Sequence, residues 1–195
     1  MNSIALVISG PAGVGKTTLC ERLLSDLETE LSRVITVTTR SPRKGEIEGK
    51  DYLFISKLEF EELILADAFI EYAQIHANYY GSLKKTFLDL FKKDQNVLLN
   101  IDVQGVSSLK KIENSYTFLK NRIVSVFIMP KSLNELRERL KSRDLDTFDE
   151  IERRLTTAAD EIKHNQIFDY TIESSTKDED YKRLLEIYNL HSDKV

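Results

Sequence analysis

The sequence predicts an α/β fold, a parallel-sheet core with helices on both faces. Two observations lead there. Short apolar runs of strand length recur along the chain, and longer segments with helical apolar spacing fall between them. The length of 195 residues, 41% of them hydrophobic and 31% charged, suits one core with inserted subdomains better than two independent domains.

Taken in order, Ile4–Ile8 reads as the first strand. A helix is expected from about Gly15 to Glu30, where Leu19, Leu23, Leu24, Leu27 and Leu31 recur at helical spacing. Val34–Val37 reads as a second strand. From Thr38 to about Tyr80 the pattern turns mixed. It holds a Pro- and Gly-bearing basic loop, a short strand at Tyr52–Ile55, a helix near Leu58–Ala66 and an extended run at Phe69–Ile75. The alternation resumes with strands at Val97–Ile101, Ile123–Met129 and Tyr170–Ile172, and a helix near Tyr181–Leu190 closes the chain. Leu133–Leu140 and Phe148–Ile162 both read as helices, joined by the polar stretch Ser142-Arg143-Asp144-Leu145-Asp146-Thr147. In the second of these, Phe148, Ile151, Leu155, Ala159 and Ile162 predict one apolar stripe.

Composition narrows the partners. A net charge of −4 lacks the broad Lys/Arg excess of a nonspecific nucleic-acid binder, although a local basic pocket is compatible with it. Cys20 is the single cysteine, so no intrachain disulfide is expected and a reducing compartment is the simplest reading. The opening residues have no basic n-region, and no stretch approaches the roughly 18 apolar residues of a membrane span. The expectation is a cytoplasmic protein that engages neither nucleic acid nor membrane and needs no obligate protein partner. His76 and His164 have no metal-binding neighbour at ligand spacing.

Gly10-Pro11-Ala12-Gly13-Val14-Gly15-Lys16-Thr17 fits G-x-x-x-x-G-K-[ST], the phosphate-binding P-loop, between a strand-type run and an amphipathic helix. Three of the chain's seven glycines lie within six positions here. Such a loop turns backbone N–H groups toward an anion, and the helix N-terminus adds partial positive charge. Lys16 is expected to reach the β- and γ-phosphates of ATP, and the Thr17 hydroxyl to ligate Mg2+. The expected ATP contacts run from Gly10 through Thr18. Asp102, closing the Val97–Ile101 run, sits where such a protein needs a Mg2+-organising acid. Many strands end in Asp as ordinary turn chemistry, so that position gains meaning only beside the P-loop.

The acceptor side carries Thr36-Val37-Thr38-Thr39-Arg40-Ser41-Pro42-Arg43-Lys44-Gly45-Glu46, with two arginines around a proline. A rigid basic turn of this kind can hold one phosphate, and taken alone it can equally be a solvated loop. It is followed by Gly49-Lys50-Asp51-Tyr52, Phe69-Ile70-Glu71, Asn78-Tyr79-Tyr80-Gly81-Ser82 and Ile101-Asp102-Val103-Gln104-Gly105. In order and spacing over nearly the whole chain, these segments resemble the guanylate kinase family.

That resemblance implies a P-loop nucleoside monophosphate kinase-like core, a mixed α+β GMP-binding subdomain and a helical lid. The corresponding boundaries are about 1–36, 83–134 and 158–195 for the core, 37–82 for the subdomain and 135–157 for the lid. It implies Mg2+-dependent transfer of a phosphoryl group from ATP to GMP, with dGMP as a further acceptor. Arg40, Arg43, Tyr52 and Tyr80 match positions that grip the GMP phosphate, and Glu71 matches the carboxylate that reads guanine. One carboxylate can accept both N1–H and the N2 amine of guanine, whereas adenine would leave it unpaired. Thr36 and Ser82 match hydroxyl positions beside the base.

Five of the eleven arginines lie between Arg137 and Arg154, interleaved with acids that could pair with them at the surface. Arg139, Arg143 and Arg154 match the lid arginines that close over the ATP phosphates, where with Lys16 they would serve catalysis. Two positions depart from the pattern. Asn100 stands where the family has a carboxylate beside the guanine, offering a carbonyl oxygen without charge. Ser174 replaces an asparagine near the adenine. A kinase for another nucleoside monophosphate, and a non-catalytic interaction module of the same fold, are the competing readings. Glu71 and Thr36 speak against the first, and the intact Lys16, Thr17 and lid arginines against the second.

Overall fold

Every residue of the first strand, β1 (Ala5–Ser9), is buried, and its side chains alternate between two separate cores. Leu6 and Ile8 enter one, Ala5 and Val7 the other, so β1 has helices on both faces. The computed structural model describes residues 3–75, 77–93, 95–113, 115–141 and 147–192. After β1 come α1 (Lys16–Asp26), β2 (Leu31–Arg33), β3 (Thr36–Thr38), β4 (Tyr52–Phe54), α2 (Lys57–Leu65), β5 (Phe69–Ile75) and β6 (Asn78–Leu83). Then follow α3 (Lys84–Lys92), β7 (Asn96–Asn100), α4 (Val103–Glu113), β8 (Ile123–Met129), α5 (Leu133–Lys141), α6 (Phe148–Lys163), β9 (Tyr170–Glu173) and α7 (Lys177–His191).

The main sheet has the order β2-β7-β1-β8-β9, and all its pairs are parallel. Its first core joins Leu6, Ile8, Leu98 and Val126 to Leu19 and Leu23 of α1, Leu155 of α6, and Leu184 and Tyr188 of α7. The opposite core joins Val7, Leu99 and Phe127 to Phe87 of α3 and Val106 and Leu109 of α4. This is the α/β architecture that the alternating runs predict.

A second sheet, β4-β3-β6-β5, is mixed, with β3 parallel to β4 and β6 antiparallel to both β3 and β5. Its small core stacks Phe60 of α2 on Phe69 at 4.4 Å and on Tyr79 at 5.1 Å between ring centres. Ser56 starts α2 with a reciprocal capping box to Glu59, and Thr147 starts α6 in the same way with Glu150.

Two local expectations change. The apolar run Val34–Val37 is not one strand but the crossing from one sheet to the other. The Val34 N–H still bonds to Leu98 O of the main sheet, while Thr36–Thr38 already pairs in the second. Hydropathy reports burial, and both halves are buried against different partners. On α6 the buried stripe is Ile151, Leu155 and Ala158, not Ala159, and Phe148 at the helix start is 68% exposed. Among the described residues no helix is long and apolar enough to cross a membrane.

Leu98 is fully buried at the centre of β7. Leu98→Ala is expected to remove about 2–5 kcal/mol of stability, read as a lower urea midpoint at unchanged slope. A loss under ~1 kcal/mol would contradict this packing.

Candidate active site

The loop between β1 and α1 is shaped by backbone that a side chain would obstruct. Gly10 has φ +139°, and a Cβ there would lie 2.5 Å from the Ile128 carbonyl oxygen of β8. Gly15, also at positive φ, precedes Lys16 as the N-cap of α1. The Lys16 ammonium donates to the Gly10 carbonyl and to the Pro11 carbonyl at 3.0 Å, which holds it against its own loop. Gly10, Ala12, Gly13, Gly15, Lys16, Thr17 and Thr18 together line one wall of a cleft. Pro11 and Val14 do not line it. They hold the loop from behind, where the Val14 N–H donates to Pro11 O at 3.2 Å.

The facing wall is built by the second sheet and the end of β7, with Thr36, Arg43, Tyr52, Glu71, Tyr80 and Asn100. Glu71 is 4% exposed, and its Oε1 has no hydrogen-bond partner among the described residues. Burial pushes its carboxyl from an ordinary 4.5 up to about 7, and the Asp102 charge adds to the rise. The neighbouring Ser82 hydroxyl opposes the shift, but it completes no hydrogen bond of normal geometry. Gly105 makes room for this carboxylate, because a Cβ there would come within 2.5 Å of Glu71 Oε2. Burial and the adjacent Tyr80 raise the Tyr52 phenol above its ordinary value, so Tyr52 stays a proton donor. Arg40 and Ser82 do not reach the cleft wall. Ser82 is buried in β6, and Arg40 turns to Glu46, with Nη–Oε distances of 2.9 and 2.8 Å.

A third side comes from Asp102 and from α6. Asp102 Oδ1 accepts the Gly105 N–H at 2.7 Å. Burial raises its carboxyl, and the Lys16 charge opposes that. Arg154, Thr157 and Glu161, spaced three and four apart on one face of α6, line the cleft. Glu161 is the residue that sequence reasoning missed. Burial pushes its carboxyl up to about 7, against the pull of Lys16 and with the push of Asp102. The available signal was its place two helical turns beyond Arg154. Thr157, Ile75 and Ile101 were also unanticipated on the lining. Arg139 does not line the cleft. It donates to Val14 O at 3.0 Å and to Glu135 at 2.6 Å, gripping the back of the loop. Arg143 and His76 lie outside the described residues.

The cleft therefore presents cationic and N–H groups at two places, Lys16 with the start of α1 and Arg43 with Tyr52 and Tyr80. The same cleft holds the Glu71 carboxyl out of water. Thr17 and Asp102 supply oxygen donors on the same cleft, the ligand type that suits a hard divalent cation.

Glu71 makes stability depend on pH. Between 4.5 and about 7 the folded protein keeps a proton that the unfolded chain has lost, so stability falls as pH rises through that window. Glu71→Gln removes the penalty. In urea unfolding without nucleotide, the variant is expected to match the parent near pH 4.5 and exceed it at pH 8, by at most about 3 kcal/mol. Equal destabilisation at both pH values would contradict the assignment.

Comparison with known proteins agrees with this geometry. The chain matches the family model described as guanylate kinase over residues 2–190. It is 41% identical to a guanylate kinase of Clostridioides difficile (strain 630), over 87% of this chain and 78% of that protein. It is 40% identical to one from Wolbachia pipientis wMel, over 95% of this chain and 89% of that one. The crystal structure of guanylate kinase from Anaplasma phagocytophilum superposes with a TM-score of 0.78 at 34% identity, covering 99% of this chain and 88% of that one. A P-loop facing a buried carboxylate across one cleft, on a sequence this similar to those proteins, places the chain in the guanylate kinase family.

Proposed function

We propose that the chain catalyses reversible phosphoryl transfer from ATP to GMP, giving ADP and GDP. The observation that carries the acceptor's identity is Glu71, a buried carboxylate with an unpartnered oxygen, on the wall facing the P-loop. Guanine offers two adjacent donors to such a group, N1–H and the N2 amine. Adenine offers an acceptor at N1 and would leave the carboxylate without compensation. Thr36 and Asn100 flank it on the cleft and complete the base contacts, Asn100 through its carbonyl oxygen. Arg43, Tyr52 and Tyr80, with Arg40 behind them, take the acceptor phosphate.

The donor phosphates belong at the P-loop, where α1 begins and Lys16 and Thr17 stand. Thr17 and Asp102 would hold Mg2+, and their all-oxygen donor set fits it. When bound, Mg2+ neutralises charge on the donor phosphates. No general base is needed, because the acceptor is a phosphate oxygen already largely ionised near neutral pH. What the protein supplies is alignment of two anions and cations placed where charge spreads during transfer. Lys16 lines the donor wall and Arg154 the α6 side. Arg139, held on the Val14 carbonyl behind the loop, would swing to the phosphates when residues 135–157 close as a lid. On this reading residues 37–82 form the acceptor subdomain and the remainder the core.

The test is ADP release with Mg2+ and ATP, offering GMP, AMP, CMP and UMP separately to the parent and to Glu71→Gln. Turnover with GMP alone is expected, with the preference for GMP over AMP falling at least ~10-fold in the variant. Turnover with AMP or a pyrimidine nucleotide would keep the kinase and refute the role of Glu71. No turnover by folded protein that still binds GMP would point to an interaction module instead.

A further inference from the structure

We infer that Glu46 is a positioning residue, holding the Arg40 guanidinium and the Arg43 backbone together as one receptor for the acceptor phosphate. This rests on the acceptor role proposed above for Arg40 and Arg43.

The loop after β3 has little hydrophobic reason to keep a fixed shape, since residues 41–45 are exposed. The Glu46 carboxylate ties its first half together, as Asp51 does the second by accepting the Ile47 N–H at 2.7 Å. Glu46 Oε1 accepts from Arg40 Nη2 at 2.8 Å, and Oε2 accepts from Arg40 Nη1 at 2.9 Å and from the Arg43 N–H at 2.6 Å. The Glu46 N–H returns a bond to the Arg43 carbonyl at 3.1 Å, closing the turn. The Arg40 and Glu46 side chains are only 13% and 19% exposed, so water competes little for this fork.

The geometry decides which edge of Arg40 remains for a ligand. Glu46 takes the end-on edge, Nη1 with Nη2, and the Ser41 carbonyl takes the other Nη1–H at 2.7 Å. Of a guanidinium's five N–H donors, Glu46 and Ser41 leave Nε–H and one Nη2–H, which are parallel and form its side edge; the cleft-lining Tyr80 hydroxyl also accepts a hydrogen bond from this guanidinium, so a phosphate would share or displace that contact. That edge is a second bidentate face, suited to a pair of phosphate oxygens. The Tyr52 ring lies 5.2 Å from the Arg40 guanidinium carbon and limits its rotation. Without Glu46 the cation would keep only the Ser41 carbonyl and its contacts with Tyr52 and Tyr80, and Arg43 would lose its anchor to Arg40.

The opposite account also follows from the contacts: Glu46 could compete with phosphate for Arg40. The two predict opposite signs. In Glu46→Gln, which keeps the shape and loses the charge, the GMP KM is expected to rise ~10-fold or more. The kcat at saturating GMP, the ATP KM and guanosine affinity by calorimetry should stay within about twofold. Glu46→Asp, with the charge restored one methylene short, should recover part of the loss. An unchanged or lowered GMP KM in Glu46→Gln overturns the inference. So does a loss shared equally by GMP, guanosine and ATP, which would mean general damage to the loop. Arg40→Met is measured in parallel. If it leaves GMP binding intact, the acceptor role of Arg40 fails; if it weakens GMP while Glu46→Gln does not, only the role of Glu46 fails.

Discussion

Keeping the Glu71 carboxylate out of water with one oxygen unpartnered is the constraint that the cleft is arranged around. The position on β5 is fixed by pairing with β6, which places Glu71 opposite Ser82 and turns it from solvent. The end of β7 and the start of α4 then close over it, and Gly105 is small enough to let them. A buried charge without compensation is expensive, so the nucleotide-free site favours a protonated Glu71. A ligand with two donors at the right spacing repays that desolvation, and one without them does not. Specificity in the proposed reaction thus follows from a group that the protein leaves incomplete.

The same logic holds across the cleft. Lys16 sits near Asp102 and Glu161, and its charge lowers the pKa of both carboxyls while their mutual repulsion raises Glu161. With Arg154 on the same side, two acids face two cations, so donor phosphates with a divalent cation would enter among charges already in place. Arg139 ties α5 to the Val14 carbonyl, and Arg137 ties α5 to Glu152 of α6. The two helices are thereby linked to each other and to the phosphate loop.

Much of this was legible before any coordinates. The glycine spacing of the P-loop is a backbone requirement, and so it shows in sequence directly; Gly10 against Ile128 O is its structural counterpart. Strand existence was also legible, since β1, β5, β7 and β8 are uninterrupted or nearly uninterrupted apolar runs. Partner choice was not. Val34–Val37 is equally apolar on both sides of the point where it changes sheets, and β6, Asn78–Leu83, is too polar and Gly-bearing to announce itself as a strand. Glu161 escaped because a single acid on an amphipathic helix looks like solvated surface, and only the fold shows that α6 turns it toward Lys16. That Arg40 would be occupied by Glu46, not presented on the wall, depends on a loop geometry that residue spacing does not encode.

The most direct test of the central claim is an NMR titration of the Glu71 side-chain carboxyl carbon, without ligand and with saturating guanosine, which has no phosphate to titrate. The account predicts a midpoint near 7 without ligand and a fall below the ordinary carboxylate value once guanosine supplies its two donors. A midpoint near 4.5 without ligand, or one that guanosine does not move, would contradict it.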